Sequence, residues 1–218
     1  MRQKSPAREK GETIDSKRPP GRPRSEQAHL AILRSTLKVL GENGFPDLTI
    51  EAVAAQANVG KATVYRWWPN KAALITDAFA YSTTKKLEFP DTGSVRTDMN
   101  RQMRQVIKIF RSSRGRILSA ILAAGQSDRR LIAAFRDRFM RPRRQEAYAT
   151  LRRGIRRGEL RRDVDMDLLL DSLYGPIYMR FFIRHDTLTP AFVDGLCDLV
   201  LGGARPRKKL SAQMRTSD

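Results

Sequence analysis

Apolar residues recur along this chain at alternating intervals of three and four, the period of an amphipathic helix, from about residue 25 to residue 203. Ser25, a good N-cap type, opens the first such segment, in which Leu30, Leu33, Leu37 and Leu40 form a core-facing stripe. Gly41, Asn43 and Gly44 bring it to an end. Thr49 caps the next helix, with Glu51 where a carboxylate favours the positive end of the helix dipole. Its stripe is Ile50, Val53, Ala54 and Ala57, and the small residues beside it let a second helix come close. Asn58-Val59-Gly60 then interrupts the pattern: two residues that tolerate positive φ flank one apolar residue able to plug the corner. Lys61 to Trp68 resumes as a helix, Pro69 stops it, and Asn70 caps a longer one from Lys71 to about Leu87.

The turn-rich run Phe89-Pro90-Asp91-Thr92-Gly93-Ser94 marks a domain boundary. Beyond it, Val95 to Phe110 carries Val95, Met99, Met103, Val106, Ile107 and Phe110 on one side, and Arg116 to Ala124 carries Ile117, Leu118, Ile121 and Leu122. From Asp128, the residues Leu131, Ile132, Phe135 and Phe139 share a face, and Pro142 is expected to kink or divide that helix before it continues to Arg157. Gly158 supplies a stop. Asp165 caps Met166 to about Arg184, with a stripe at Leu169, Leu173, Ile177 and Phe181 that Leu170, Tyr174 and Tyr178 broaden. Thr189 or Pro190 opens a last helix containing Phe192, Leu196, Leu199 and Val200, closed by Gly202-Gly203. These last two faces are wider than a domain of this size needs, so Leu169, Leu173, Ile177, Phe181, Phe192, Leu196, Leu199 and Val200 are expected at a subunit interface.

The expected fold class is therefore all-α. A three-helix helix-turn-helix unit with its connecting helix occupies residues 25–88, and a larger helical domain, whose last two helices carry the expected dimerisation faces, occupies residues 89–204. Residues 1–24 read as a disordered basic arm and residues 205–218 as a disordered basic tail, since neither offers apolar surface to offset its ordering entropy.

Charge sharpens the picture. The 218 residues carry a formal charge of +19, a field that attracts polyanions before any specific contact forms. Arginine is spread over the whole chain, so charge alone does not locate the site. In Arg18-Pro19-Pro20-Gly21-Arg22-Pro23-Arg24 the prolines hold the backbone extended and the arginines project from it, a shape suited to a narrow minor groove. The run resembles the Gly-Arg-Pro core of the AT-hook, and Arg22 and Arg24 are the expected contacts. One cysteine, Cys197, excludes an intramolecular disulfide and fits a reducing cytosol. No apolar run is long enough to span a bilayer, so a cytoplasmic protein with no membrane partner is expected.

Lys61, Thr63, Tyr65, Arg66 and Trp67 present phosphate and base-edge chemistry on the second helix of the tight pair. Leu48 to Leu74 as a run resembles the helix-turn-helix of the TetR family of bacterial transcriptional regulators. The resemblance is carried by Phe45, Leu48-Thr49, Val53-Ala54, Val59, Thr63-Val64-Tyr65, Trp68, Lys71 and Leu74. Two positions depart from the family pattern, Asn58 for the more usual Gly and Gly60 for the more usual Ser. A looser likeness to the family's ligand-binding domains lies at Arg157-Gly158-Glu159-Leu160 followed by Asp165. The resemblance implies a homodimeric, sequence-specific DNA-binding regulator, usually a repressor, released from a palindromic operator by a small molecule. Lys61, Thr63 and Arg66 are then candidates for base edges, Thr49, Tyr65, Trp67 and Lys71 for phosphates, and Ala62 completes the DNA-facing set.

Catalysis has little to work with. His29 and His185 fall on different expected domains, Cys197 has no metal-spaced companion, and no glycine-rich phosphate loop is present, so no enzyme activity, metal or cofactor is expected. An apolar effector cavity is expected among Met103, Ile107, Phe110, Ile121, Phe135, Tyr148, Tyr174 and Tyr178. Arg143, Arg144, Arg152 and Arg153 are open to two readings, a seat for an anionic ligand or a solvated helix face. An architectural protein that coats DNA without sequence choice is the competing class, and the large apolar domain after Phe89 speaks against it.

Overall fold

The computed structural model describes residues 25–45 and 47–206, and all regular structure among them is helical. The arm with Arg22 and Arg24, and the tail from residue 207, lie outside the described residues. The helices are α1 Glu26–Asn43, α2 Ile50–Gln56, α3 Lys61–Trp67, α4 Lys71–Thr83, α5 Val95–Phe110, α6 Ser113–Gly125, α7 Arg129–Phe135, α8 Arg141–Arg156, α9 Met166–Ile183 and α10 Pro190–Gly203. A 3₁₀ turn, Thr84–Lys86, extends α4, and a π turn, Arg136–Met140, joins α7 to α8.

The starts of these helices follow from local chemistry. Ser25, Thr49, Asn70, Ser94, Asp128, Asp165 and Thr189 each accept a backbone N–H of the first turn, satisfying donors that have no partner inside the helix. Gly44 ends α1 at φ 77, a conformation that costs glycine little. Pro142 divides the long segment as expected. It lacks the N–H that would reach back one turn, and the chain widens into the π turn just before it. Gly202 and Gly203 do not close α10 from outside; they form its last turn, and Ala204 is the C-cap.

Helix α5 is the hub of the C-terminal part, packed against α6, α8, α9 and α10. Close approach to α8 depends on Gly154: a Cβ there would lie 2.8 Å from the Val95 Cβ. Glu159 closes the same junction, its carboxylate accepting the Val95 backbone N–H at 2.7 Å. Helix α4 runs between the two parts, with α1 on one side and α6, α7 and the π turn on the other. One hydrophobic cluster therefore extends from Ile32 through Leu74, Phe79 and Leu87 to Leu201, across the boundary expected near residue 89.

Three expectations need correction. In α1 the buried face is Ile32, Leu33, Thr36, Val39 and Leu40, while Leu30 and Leu37 are half-buried, because α1 is covered from more than one side, by α2, α4 and α6. Met103, Ile107 and Ile121 keep to the core-facing stripes of α5 and α6 but do not line the expected effector cavity, because these two helices pack against each other there. Of the residues expected between subunits, Leu169, Leu173, Ile177 and Leu196 are buried within the protomer. Phe181 is half-buried against Phe110, and Phe192 lies under the Arg180 guanidinium at 3.6 Å. Val200 is half-buried, and Leu199 alone of the set is largely exposed, at 77%. The reason is that α9 is apolar nearly all round, so periodicity finds its core-facing stripe first.

Candidate nucleic-acid interface and the cavity behind it

Helices α2 and α3 form a tight pair. Asn58 takes the left-handed conformation at φ 53, Val59 packs half-buried into the corner, and Gly60, at φ −70, needs none of its freedom. Gly60 is the N-cap of α3 and brings no side chain to it, so α3 starts without a side-chain hydrogen bond. Val64 and the C-cap Trp68, 0% and 1% exposed, anchor the inner face of α3. Lys61, Ala62, Tyr65 and Arg66 are exposed on the outside and Thr63 is half-buried.

Several of these side chains already have work in the protein alone. Lys61 pairs with Glu51 of α2 at 2.8 Å, both well exposed, so water and salt screen the contact and it is easily exchanged for a phosphate or a base. Thr49 accepts the Ala52 N–H at 3.0 Å and is otherwise exposed. Lys71 donates to the Phe45 carbonyl at 3.2 Å and lies 4.6 Å over the Phe45 ring, so it also ties the α1–α2 connection to α4. Trp67 is half-buried, its ring 4.4 Å from His29, which makes it a packing residue between α3 and α1 as well as a surface one.

Behind α3 lies a polar bridge absent from the sequence reading. The Trp68 indole N–H donates to the Asp77 carboxylate of α4 at 2.9 Å. The same carboxylate oxygen accepts from Arg138, in the π turn, at 2.7 Å. Phe139 and Met140 of that turn line a cavity of about 320 Å³. Its wall also includes Leu87, Phe89, Gln102, Phe110, Arg143, Tyr174 and Tyr178. Three expected effector residues, Phe110, Tyr174 and Tyr178, thus come together. Phe135 faces a separate, open depression shared with Tyr178 and Phe182. Tyr148 lies beside the cavity with its hydroxyl on Asp167. Of the four arginines in question, Arg143 and Arg144 line the cavity, Arg153 pairs with Asp91 at 3.1 Å, and Arg152 is exposed, with its guanidinium 5.9 Å from the Tyr148 ring centre.

The model of bacterial regulatory proteins of the tetR family matches residues 32–78, and that of the tetracyclin repressor-like C-terminal domain matches residues 89–200. The chain is 39% identical over 199 residues to the uncharacterized HTH-type transcriptional regulator YdeS of Bacillus subtilis, covering 91% of this chain and 98% of YdeS. The chain belongs to the TetR family. It is accordingly a helix-turn-helix, DNA-binding transcriptional regulator, of a family whose members are not enzymes. The DNA-binding transcriptional repressor TetR of Mycobacteroides abscessus is 40% identical over 77 residues, 35% of this chain and 40% of that protein. Among solved structures, the TetR family transcription regulator SCO0332 superimposes with a TM-score of 0.72 at 36% identity, covering 83% of this chain and all of that one.

One further surface bears on how a TetR-family protein is assembled. Leu168, Met179, Phe182 and Ile183 of α9 and Leu199 of α10 are large apolar residues left open to solvent. Gly175 and Gly195 lie among them and have open space around them. No described helix is long and apolar enough to cross a membrane. The His29 ring, stacked 4.8 Å from Trp68, and Asp77 were the residues that sequence reading missed. Asp77 is a polar residue on the mostly apolar α4, whereas His29 is one of many polar residues on α1 and nothing in the pattern sets it apart.

Proposed function

We propose that two copies of this regulator pair through the exposed apolar faces of α9 and α10, and that the pair reads an inverted-repeat operator as a repressor in the cytoplasm. Two α3 helices then enter successive major grooves about 34–36 Å apart. In this reading residues 25–88 form the reading unit and residues 89–204 the effector and pairing unit. Lys61, Thr63 and Arg66 meet base edges, Thr49, Tyr65, Trp67 and Lys71 lie along the phosphates, and Ala62 faces the DNA between them. Arg22 and Arg24 reach the minor groove. A small molecule entering the cavity changes the separation of the two reading helices and releases the operator.

The observation that carries the proposal is the bridge at Asp77. It joins the C-cap of α3 to the π turn that lines the cavity, so a displaced cavity wall moves the base of the reading helix. Titration of duplex binding against salt tests the DNA half of the reading. A dimer that neutralises several phosphates loses about 10³-fold or more in affinity between 50 and 200 mM salt. Binding indifferent to salt contradicts it.

A further inference from the structure

We infer that the cavity beneath Leu87 and Phe89 takes a small apolar molecule with one carboxylate head, and that Arg143 receives that head. This rests on the effector reading above and names the chemistry of the effector.

The cavity wall is apolar over most of its extent, with Val106, Ile109, Phe110, Leu118, Phe139 and Leu170. At about 320 Å³ it lies at the small end of the range for organic ligands. Two cations stand in the wall, and they differ. Arg144 is matched: it donates to Asp171 at 2.6 Å, to Asp167, and to the Tyr148 hydroxyl at 3.1 Å. Asp171, the acidic member of the wall, is taken up in the same pair. Arg143 is 9% exposed, with the Phe89 ring centre 5.1 Å from its guanidinium. One of its nitrogens donates to the Leu87 carbonyl and another to Glu146, whose side chain is 44% exposed and faces water. Burial holds the Arg143 pKa below the ordinary arginine value, and the Glu146 charge offsets this only in part. Glu146 and Glu88, the carboxylates that act on Arg143, do not line the cavity, and the one carboxylate that does, Asp171, is held by Arg144.

The neighbouring polar groups are donors as well. Tyr174 donates its hydroxyl to the Gln102 side-chain carbonyl, which leaves the Gln102 amide N–H groups as donors. The Tyr178 hydroxyl has the Met140 sulfur at 3.9 Å, a weak acceptor. A guanidinium, an amide and a phenol, all donors beside an apolar chamber, fit an acceptor that carries charge. The same geometry gives the ligand a consequence. A carboxylate that draws Arg143 off the Leu87 carbonyl frees the chain end just after the 3₁₀ turn that extends α4, and α4 holds both Lys71 and Asp77 against the reading helices.

Calorimetry on the full chain with octanoate, 1-octanol and octylammonium tests this. Octanoate is expected to bind about tenfold or more tightly than octanol, and octylammonium not at all. Arg143→Met is expected to erase the preference while octanol still binds. Glu146→Gln, a half-exposed change that removes the competing carboxylate, is expected to tighten octanoate by about threefold or more. Octanol or octylammonium binding as tightly as octanoate overturns the anion assignment, and so does the absence of binding by any of the three. A preference that survives Arg143→Met, or octanoate affinity unchanged or weakened by Glu146→Gln, overturns the role of Arg143. Octanoate is also expected to weaken binding to a duplex that the protein itself selects from a random library. Tight octanoate binding without that effect leaves the site standing and sinks the effector reading.

Discussion

At the scale of single residues, the reading head is held by a few side chains whose loss has a calculable cost. Asp77 satisfies the buried Trp68 indole N–H and Arg138 together. Asp77→Ala leaves that N–H unpaired, and about 1–3 kcal/mol of stability is expected to go with it, measured as a lowered denaturation midpoint. The turn offers a milder pair of tests. Gly60 is already at an extended φ with open space around its Cβ position, so Gly60→Ser is expected to stabilise by a few tenths of a kcal/mol through a new cap. Asn58→Ala is expected to cost about 1 kcal/mol, since alanine tolerates φ 53 less well. The caps at Ser25, Thr49, Asn70 and Asp165 were legible in the sequence because each depends on its own side chain and the next three residues. Asp77 was not, because its partners lie nine residues before it and 61 after it.

Among the elements, the helix order was also legible, since each helix is set by local periodicity and a local stop. What periodicity leaves open is which face of a helix meets what. Helix α9 shows this most clearly: Leu169, Leu173 and Ile177 meet the protomer's own core, and Leu168, Met179 and Ile183, on the other side, meet solvent. Both faces are apolar, and only the packing of α5, α8 and α10 against α9 decides between them. The same holds for the cavity, where Phe110, Tyr174 and Tyr178 come together as the sequence implies but Met103 and Ile107, two turns and one turn before Phe110 on α5, are core. Contact between α5 and α8 supplies a test at this scale. Gly154→Ala places a methyl 2.8 Å from the Val95 Cβ, and pushing the two helices apart is expected to cost about 1–3 kcal/mol, read from the melting temperature. An unchanged melting temperature means that the junction is looser than this packing implies.

At the scale of the whole molecule, the proposed function depends on two copies. A single α3 of two turns offers too few base contacts for one site to stand out, whereas two at fixed separation read a palindrome. Leu199→Glu puts a charge into the exposed apolar face without touching the protomer core, because Leu199 is 77% exposed. It is expected to leave the fold intact, yield a monomer in sedimentation, and lose operator affinity by orders of magnitude. A dimeric Leu199→Glu protein that still binds would move the interface elsewhere.

The central claim is that this chain reads a specific inverted repeat as a pair. Selection from a library of random duplexes by the purified full-length protein tests it most directly. The expected result is one enriched inverted repeat with its two half-sites about one helical turn apart. Enrichment of no common sequence, or of a single half-site without symmetry, contradicts it.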